Sequence, residues 1–196
     1  IILVAAIGSG TGLVTLRPAS DAQAIRVGAG AGDNAATLGI TDAELDLITT
    51  TGGVTIGAGT STGGLTVVGV ADQATGATIT GGTFALLQGT GNIIVNAALT
   101  NAVNTTLQTA SGNIIFALAG NVTATGNMVT LSAVGGNVQG NAANQNDVTA
   151  QNLDITASTG IGNNVELETA VSTLTFSNTT SGNVAICNTL ISGLTA

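Results

Sequence analysis

Residues 91–116 read GNIIVNAALTNAVNTTLQTASGNIIF, a stretch that opens and closes on the same Gly-Asn-Ile-Ile motif. Related motifs stand at Gly91-Asn92-Ile93, Gly112-Asn113-Ile114, Gly136-Asn137-Val138 and Gly182-Asn183-Val184, and Gly160-Ile161-Gly162 fills the remaining gap. The first glycines of these motifs are nearly evenly spaced along the chain. Their mean period of about 23 residues is typical of repeat architectures.

Each repeat has the pattern of short strands. Alternate apolar residues follow the turn, as in Ile93, Val95, Ala97 and Leu99, and this alternation is typical of strands with one buried face. A repeat of about 23 residues has room for roughly three such strands, and stacking the repeats pairs each strand with its equivalents. We therefore expect an all-β protein folded as a parallel β-helix.

The length of the chain sets the size of that rod. At about 4.8 Å of rise per coil, the 196 residues would form a single rod of roughly eight to nine coils, about 40 Å long. The chain opens on Ile1-Ile2-Leu3-Val4, which we read as part of a first strand, and it closes on Leu194-Thr195-Ala196. Neither end has the pattern of a polar cap. We therefore expect a fragment of a longer chain, or association end to end through unpaired edges.

The recurring turn residues are the structural sites that the sequence indicates. An asparagine at equivalent turns can bond to its neighbour along the stack or adopt a left-handed conformation, although a plain Gly-Asn turn explains the same pattern. The residues concerned are Gly91, Asn92, Gly112, Asn113, Gly136, Asn137, Gly160, Gly182 and Asn183. The residues expected to point inward from the strands are Ile93, Val95, Ile114, Phe116, Val138 and Val184.

Composition excludes several classes of partner. The chain has 2 basic and 10 acidic residues, a net charge of −8, and neither lysine nor histidine. Nucleic-acid binding needs several cations and aromatic stacking platforms, and attraction to anionic membranes also needs cations. The chain has only 3 phenylalanines and no tyrosine or tryptophan. We therefore expect neither nucleic acid nor a membrane as a partner.

Residues 1–77 differ in charge content from residues 78–196, and we expect less regular coils in this first part. They hold both arginines and 6 of the 10 acidic residues. Thr41-Asp42-Ala43-Glu44 has the spacing of a capping box, which predicts a short helical turn near residues 41–48. The single Cys187 excludes an internal disulfide, and its apolar neighbours Ile186 and Ile191 predict burial.

Several acidic residues have spacings that suggest a metal site or a catalytic site. Asp42, Glu44 and Asp46 alternate as in a calcium loop, but the glycine and the bidentate glutamate that an EF-hand requires are absent. The glycine-rich loops lack the lysine of a phosphate loop. Some parallel β-helices are polysaccharide-active enzymes, and Asp154 with Glu166 or Glu168 would then be the paired carboxylates. No His or Lys is present to act as a base, so we expect no cofactor, no metal and no catalysis.

Two parts of the chain resemble large bacterial exoproteins related to filamentous haemagglutinin. The motifs that carry the resemblance are Leu13-Val14-Thr15-Leu16-Arg17-Pro18, Thr37-Leu38-Gly39-Ile40-Thr41-Asp42-Ala43-Glu44-Leu45-Asp46, Val54-Thr55-Ile56-Gly57, Ile155-Thr156-Ala157-Ser158-Thr159-Gly160-Ile161-Gly162, Leu167-Glu168-Thr169, Leu174, Ser181-Gly182-Asn183-Val184 and Asn188-Thr189. The resemblance implies a right-handed parallel β-helix in a secreted or surface-attached filament, commonly an adhesin or its stalk. It brings no catalytic residues.

The sequence therefore favours a rigid segment of a secreted bacterial surface protein, which would provide length and an adhesive surface toward a host cell, a neighbouring cell or a glycan. A subunit of a self-assembling extracellular matrix or sheath filament is the alternative. A polysaccharide-active enzyme is a further alternative, of a different class.

Overall fold

The computed structural model describes residues 5–73, 79–117, 119–143 and 145–190. In this part of the chain nearly all regular structure is β. One short helix, α1, spans Asp42–Leu45. The strands, in chain order, are β1 Ile7–Gly10, β2 Val14–Leu16, β3 Ala24–Val27, β4 Thr37–Ile40, β5 Ile48–Thr50, β6 Val54–Gly57, β7 Leu65–Val67, β8 Ala71–Gln73, β9 Thr83–Gln88, β10 Ile93–Val95, β11 Ala98–Asn101, β12 Asn104–Thr109, β13 Ile114–Phe116, β14 Asn121–Ala133, β15 Val138–Gln139, β16 Val148–Ala157, β17 Leu167–Asn178 and β18 Ile186–Asn188.

The strands pair into long sheets whose strand pairs are all parallel. A 6-stranded sheet has the spatial order β15-β13-β10-β7-β3-β4. A 10-stranded sheet has the order β18-β17-β16-β14-β12-β9-β6-β2, with β11 and β8 paired beside this path, and β1 pairs with β5. Most neighbours in a sheet are separated along the chain by strands of another sheet, the exceptions being β3–β4, β16–β17 and β17–β18. The arrangement is consistent with a parallel β-solenoid.

The register of the 6-stranded sheet gives the repeat directly. Its central inward column runs through Ile25, Leu65, Ile93, Ile114 and Val138, and isolated parallel bridges continue it to Ile161 and Val184. From Ile93 onward the column advances by about 23 residues per step, a period typical of repeat architectures. The two earlier steps, from Ile25 to Leu65 and from Leu65 to Ile93, are longer because they contain excursions of the chain. The later steps match the period read from the sequence.

The core is made of such columns. Five of the six residues predicted to point inward, Ile93, Val95, Ile114, Phe116 and Val138, are at most 1% exposed, and the prediction is confirmed for them. The prediction is wrong for Val184, which is 42% exposed. Val184 has the inward register position, but it is the last member of its column among the described residues, so no further strand covers it.

Two more columns run through the 10-stranded sheet, from β2 to β17. The first column consists of Val14, Val54, Phe84, Thr105, Val129, Leu153 and Leu174. The second consists of Leu16, Ile56, Leu86, Leu107, Leu131, Ile155 and Phe176. Since in-register neighbours in adjacent strands lie about 4.8 Å apart, each inward side chain packs on its equivalents above and below.

The early excursion contains the predicted capping box. The Thr41 side chain accepts a hydrogen bond from the Glu44 backbone N–H, and the Glu44 carboxylate accepts one from the Thr41 N–H. Leu45, on the same helical turn, is fully buried. The sequence did not reveal β4, which lies just before this turn. This strand pairs with the outer edge of β3, where the 6-stranded sheet ends.

Candidate functional site

The recurring glycines form a column in which turns touch backbone to backbone. A Cβ added to Gly112 would lie 1.7 Å from the Gly91 carbonyl oxygen, and one added to Gly136 would lie 2.0 Å from the Gly112 carbonyl oxygen. Gly91 and Gly182 also have positive φ angles of 99° and 84°. Glycine is therefore needed at Gly112 and Gly136 because adjacent turns approach too closely for any side chain.

Three of the predicted asparagines form a ladder along the stack. The Asn113 backbone N–H donates to Asn92 Oδ1 at 2.9 Å, and the Asn137 N–H donates to Asn113 Oδ1 at 2.9 Å. Each side chain thus satisfies a backbone donor in the following turn, which is the first of the two explanations offered by the sequence. Asn183 does not continue this pattern, because its N–H donates to Asn163 Oδ1 at 3.1 Å.

Gly160 is not the structural equivalent of the other motif glycines. Ile161 pairs with Val138 and Val184, which places Gly160 level with Asn137 and Thr159 level with Gly136. In agreement, a Cβ on Gly182 would lie 2.1 Å from the Thr159 carbonyl oxygen. The motif in this repeat is therefore shifted by one position relative to the strand register.

The shift ends the asparagine ladder. The Gly160 N–H occupies the position of the next donor in the ladder. It donates to Asn178 Oδ1 at 3.1 Å and not to Asn137 Oδ1. Asn137 Oδ1 is consequently buried and accepts no hydrogen bond from the described residues. A buried acceptor without a hydrogen bond lowers the free energy of unfolding, so the stack is less stable at Asn137 than at Asn92 and Asn113.

The alternating acids near α1 have structural partners. Glu44 completes the capping box, Asp42 Oδ1 accepts from the Asp72 N–H at 2.7 Å, and Asp46 Oδ1 accepts from Gln73 Nε2 at 3.3 Å. These bonds attach the helical turn to β8. No group of three or more His, Cys, Asp or Glu side chains among the described residues has a geometry that could hold a metal ion.

The candidate catalytic carboxylates lie in or beside different parts of the 10-stranded sheet. Asp154 stands between Thr130 and Thr175 in the register, within the later halves of β14, β16 and β17. Glu168 stands level with Cys187, in the early half of β17, and Glu166 immediately precedes that strand. An open cleft elsewhere is lined by Arg17, Gln23 and Asp33, with a single carboxylate. Asp154, Glu166 and Glu168 are not among the residues that line this cleft.

Asp147 is a buried carboxylate that the sequence analysis missed. Its side chain is 0% exposed, Oδ1 accepts from the Asn141 N–H at 3.1 Å, and Oδ2 accepts from the Glu168 N–H at 2.9 Å. Burial raises the pKa of Asp147 to about 6, against the opposing effect of these two donors. The only sequence signal is its position as the first charged residue after Asp72.

Cys187 is exposed, contrary to the prediction of burial. It is the central residue of β18, and its two neighbours in that strand are less exposed than it is. Its side chain therefore points outward from the last described strand. Partial desolvation, together with the carboxylates of Glu166 and Glu168, raises the pKa of the Cys187 thiol.

The two ends of the stack differ, and both bear on function. We call the end formed by β2, β4 and residues 32–34 the head. Leu38 and Ile40 in its outermost strand are 5% and 2% exposed, and Val14 and Leu16 are each 7% exposed. The Asp33 carboxylate accepts the Gly39 N–H at 2.7 Å, so a side chain satisfies a donor of β4. The outer edges of β1 and β2 pair with no strand among the described residues, so the prediction that neither end has a polar cap stays a prediction. Residues 1–4, assigned to a first strand, lie outside the described residues, and β1 begins at Ile7.

The opposite end is open. We call it the tail, and it consists of the later half of β17, β18 and residue 184. Phe176 is 50% exposed and Val184 is 42% exposed, although their register predecessors Ile155 and Ile161 are fully buried. β18 pairs only with Leu167–Thr169 of β17. Residues 173–178 of β17 therefore present an edge that has no partner strand among the described residues.

Comparisons with models of known protein families, with curated proteins and with solved structures find no match for this chain. Within the described residues, no helix has the length and apolarity of a membrane-spanning segment.

Proposed function

We propose that this chain is a structural segment of a secreted bacterial surface exoprotein, in which it provides length, rigidity and an adhesive surface. In this proposal the parallel sheets belong to a right-handed β-helix of eight to nine coils. The observation that carries the proposal is the in-register apolar column from Ile25 to Val184. A column of this kind makes each repeat depend on its neighbours, which favours stiffness along the axis.

The surroundings of the acidic residues support a structural role over a catalytic one. Asp33, Asp42, Glu44 and Asp147 accept hydrogen bonds from backbone N–H groups. Hydrolysis of a polysaccharide would need two carboxylates facing one cleft. Asp154 and Glu168 lie in separate halves of the 10-stranded sheet, so we propose no chemistry for them.

The open tail supports a role within a larger assembly. Its exposed core residues are suited to contact with a further layer, supplied either by adjoining repeats of a longer polypeptide or by another copy. The partner of the lateral surface would be a host cell, a neighbouring cell or a glycan. A matrix or sheath filament of separate chains stacked end to end is the alternative proposal, because the outer edge of β2 also has no partner strand among the described residues.

Localisation on the producing cell tests the proposal. Antibodies raised against the purified chain should label intact cells or the material around them, as seen by immunogold electron microscopy. Brief protease treatment of intact cells should remove the label. Labelling that appears only after the cells are permeabilised would contradict the proposed function. A crystal structure would establish the handedness and the number of coils.

A further inference from the structure

We propose that a groove on the outward face of the 6-stranded sheet binds the carboxylate of a single acidic sugar at Arg26. This inference rests on the proposed surface role, and it names the glycan chemistry that the lateral face would recognise. The groove runs over residues 24–26 of β3, residues 63–66 at β7, and residues 92 and 94 at β10. Its volume of about 370 Å³ is that of a small ligand site. We call it the Arg26 groove.

Arg26 carries the only charge in the outward column of this sheet. That column alternates with the buried one and consists of Arg26, Thr66, Ile94, Ile115 and Gln139. The Arg26 side chain is exposed, whereas its two neighbours in the column are partly buried. The guanidinium therefore stands at one end of the groove, next to a hydroxyl and an apolar side chain.

The charge of Arg26 is not neutralised by an ion pair within the described residues. The chain has 10 acidic and only 2 basic residues, so an arginine with no carboxylate partner is unexpected. The Asp33 carboxylate approaches the same pair of strands, but it accepts the N–H of Gly39, the register partner of Arg26. A free guanidinium offers a planar fork of N–H donors that fits a carboxylate.

Small residues give the groove its depth. Thr37 pairs with Ala24 in the register, and the same level continues to Gly64 and Asn92. A Cβ added to Gly64 would have no neighbour closer than 3.8 Å, so the space above this glycine is open. The two larger polar side chains at this level, Thr37 and Asn92, therefore flank a trough whose floor is Ala24 and Gly64.

The groove also contains hydrogen-bonding groups that are not used within the described residues. Asn92 Oδ1 accepts the Asn113 N–H in the ladder, but Asn92 Nδ2 and the hydroxyls of Thr37 and Thr66 have no partner among the described residues. Amide and hydroxyl groups can bind the hydroxyls of a sugar. Ile94, at the far end of the groove from Arg26, can contact the apolar C–H face of the ring.

The charge and the topology identify one acidic sugar as the ligand. A densely charged polymer would be repelled by the net charge of −8, and one guanidinium pairs with one carboxylate. An extended acidic peptide would bind best by adding to an open strand edge. Arg26 lies in β3, which is paired on both sides, with β4 and with β7. The ligand is therefore bound by side chains and not by strand addition.

Titration of the ¹⁵N-labelled chain with methyl β-glucuronide, followed by NMR, tests this proposal. Saturable shifts should appear at residues 24–26, 63–66 and 92–94. Methyl β-glucoside, which has the same ring without the carboxylate, should bind at least about tenfold more weakly, and Arg26→Gln should weaken glucuronide binding by a similar factor, because a charge-assisted hydrogen bond is lost. Thr66→Val keeps the shape of the side chain and should weaken binding by about threefold through loss of the hydroxyl.

Arg17→Gln is the matched control. It makes the same change of net charge at the only other basic residue, which lines the separate cleft described above, and it should bind the glucuronide like the wild type. Unchanged amide spectra away from the substituted positions would show that the variants fold.

Four results would overturn the proposal: no saturable shifts at the Arg26 groove, equal affinity for the glucoside, equal loss of affinity in Arg17→Gln, or tighter binding of a tetraglutamate peptide at the same residues. Failure here is distinguishable from failure of the proposed function. A chain that labels the cell surface but does not bind the glucuronide would refute the sugar site alone. Binding by a chain found only inside the cell would refute the surface role and leave the site standing.

Discussion

Two phenylalanines show how the environment of one residue sets its contribution to stability. Phe116 is 1% exposed within the 6-stranded sheet, whereas Phe176 is 50% exposed at the tail. Replacing a buried phenylalanine by alanine removes apolar contacts and leaves a cavity, at a cost of about 3–5 kcal/mol. We predict that Phe116→Ala lowers the free energy of unfolding by this amount and that Phe176→Ala lowers it by clearly less. Urea denaturation of both variants measures the difference. Equal losses would contradict the inward assignment of Phe116.

The buried carboxyl of Asp147 predicts a pH dependence of stability. Its pKa rises from 3.8, the ordinary value, to about 6 in the fold. Between these values the folded state holds the proton more tightly than the unfolded state, so unfolding releases a proton. The contribution of Asp147 to the free energy of unfolding is therefore greatest at low pH, falls as the pH rises from about 4 to about 6, and stays constant above that.

Substitution separates this contribution from those of the other acids. Asp147→Asn should remove the fall between pH 4 and pH 6, because an amide does not titrate in this range, although the loss of one acceptor should lower stability throughout. Asp154→Asn makes the same change of charge at a strand position in the same sheet and should keep the fall. Thermal melts at a series of pH values provide the test. The same slope in Asp147→Asn and in the wild type would show that another group is responsible.

At the scale of the turn, neighbouring asparagines of the ladder should contribute unequally to the stability of the fold. Asn113 Oδ1 accepts the Asn137 N–H, but Asn137 Oδ1 is buried without a partner among the described residues. Asn113→Ala leaves a partly buried N–H unsatisfied and should cost about 1–3 kcal/mol. Asn137→Ala removes an oxygen that accepts no hydrogen bond, so its cost should be smaller. Denaturation midpoints compare the two variants directly. A larger loss for Asn137→Ala would contradict the ladder.

At the turns, the sequence predicted the repeat correctly but not the exact alignment of every turn. The motif spacing correctly predicted a repeat and the inward direction of residues such as Ile93 and Ile114. It misaligned Gly160 by one position, because Gly-Ile-Gly resembles the motif while the strand register places Ile161 beside Val138. Register depends on which side chains face the core, and a small shift between similar turn residues leaves little trace in the sequence.

At the scale of the whole molecule, the ends were the least predictable part. The apolar alternation that reveals a core column does not say where the column stops, so Val184 has an inward register position but is exposed. The position of β4 at the end of the 6-stranded sheet depends on its pairing back onto β3 and on the hydrogen bond from the Gly39 N–H to Asp33. Both are contacts across loops, which local pattern does not encode. The burial of Asp147 was missed for the same reason, because its partner Glu168 is distant in the sequence.

The parallel register itself can be tested by disulfide cross-linking on the outward face of the 6-stranded sheet. Ile115 and Gln139 are direct register partners, whereas Ile94 and Gln139 are separated by the intervening strand β13. Strand spacing places the first pair of Cα atoms about 4.8 Å apart and the second pair about 9.6 Å apart. A disulfide requires about 4.4–6.8 Å. In a Cys187→Ser background, Ile115→Cys with Gln139→Cys should cross-link on mild oxidation, and Ile94→Cys with Gln139→Cys should not. Cross-linking of the second pair without the first would contradict the in-register parallel stack.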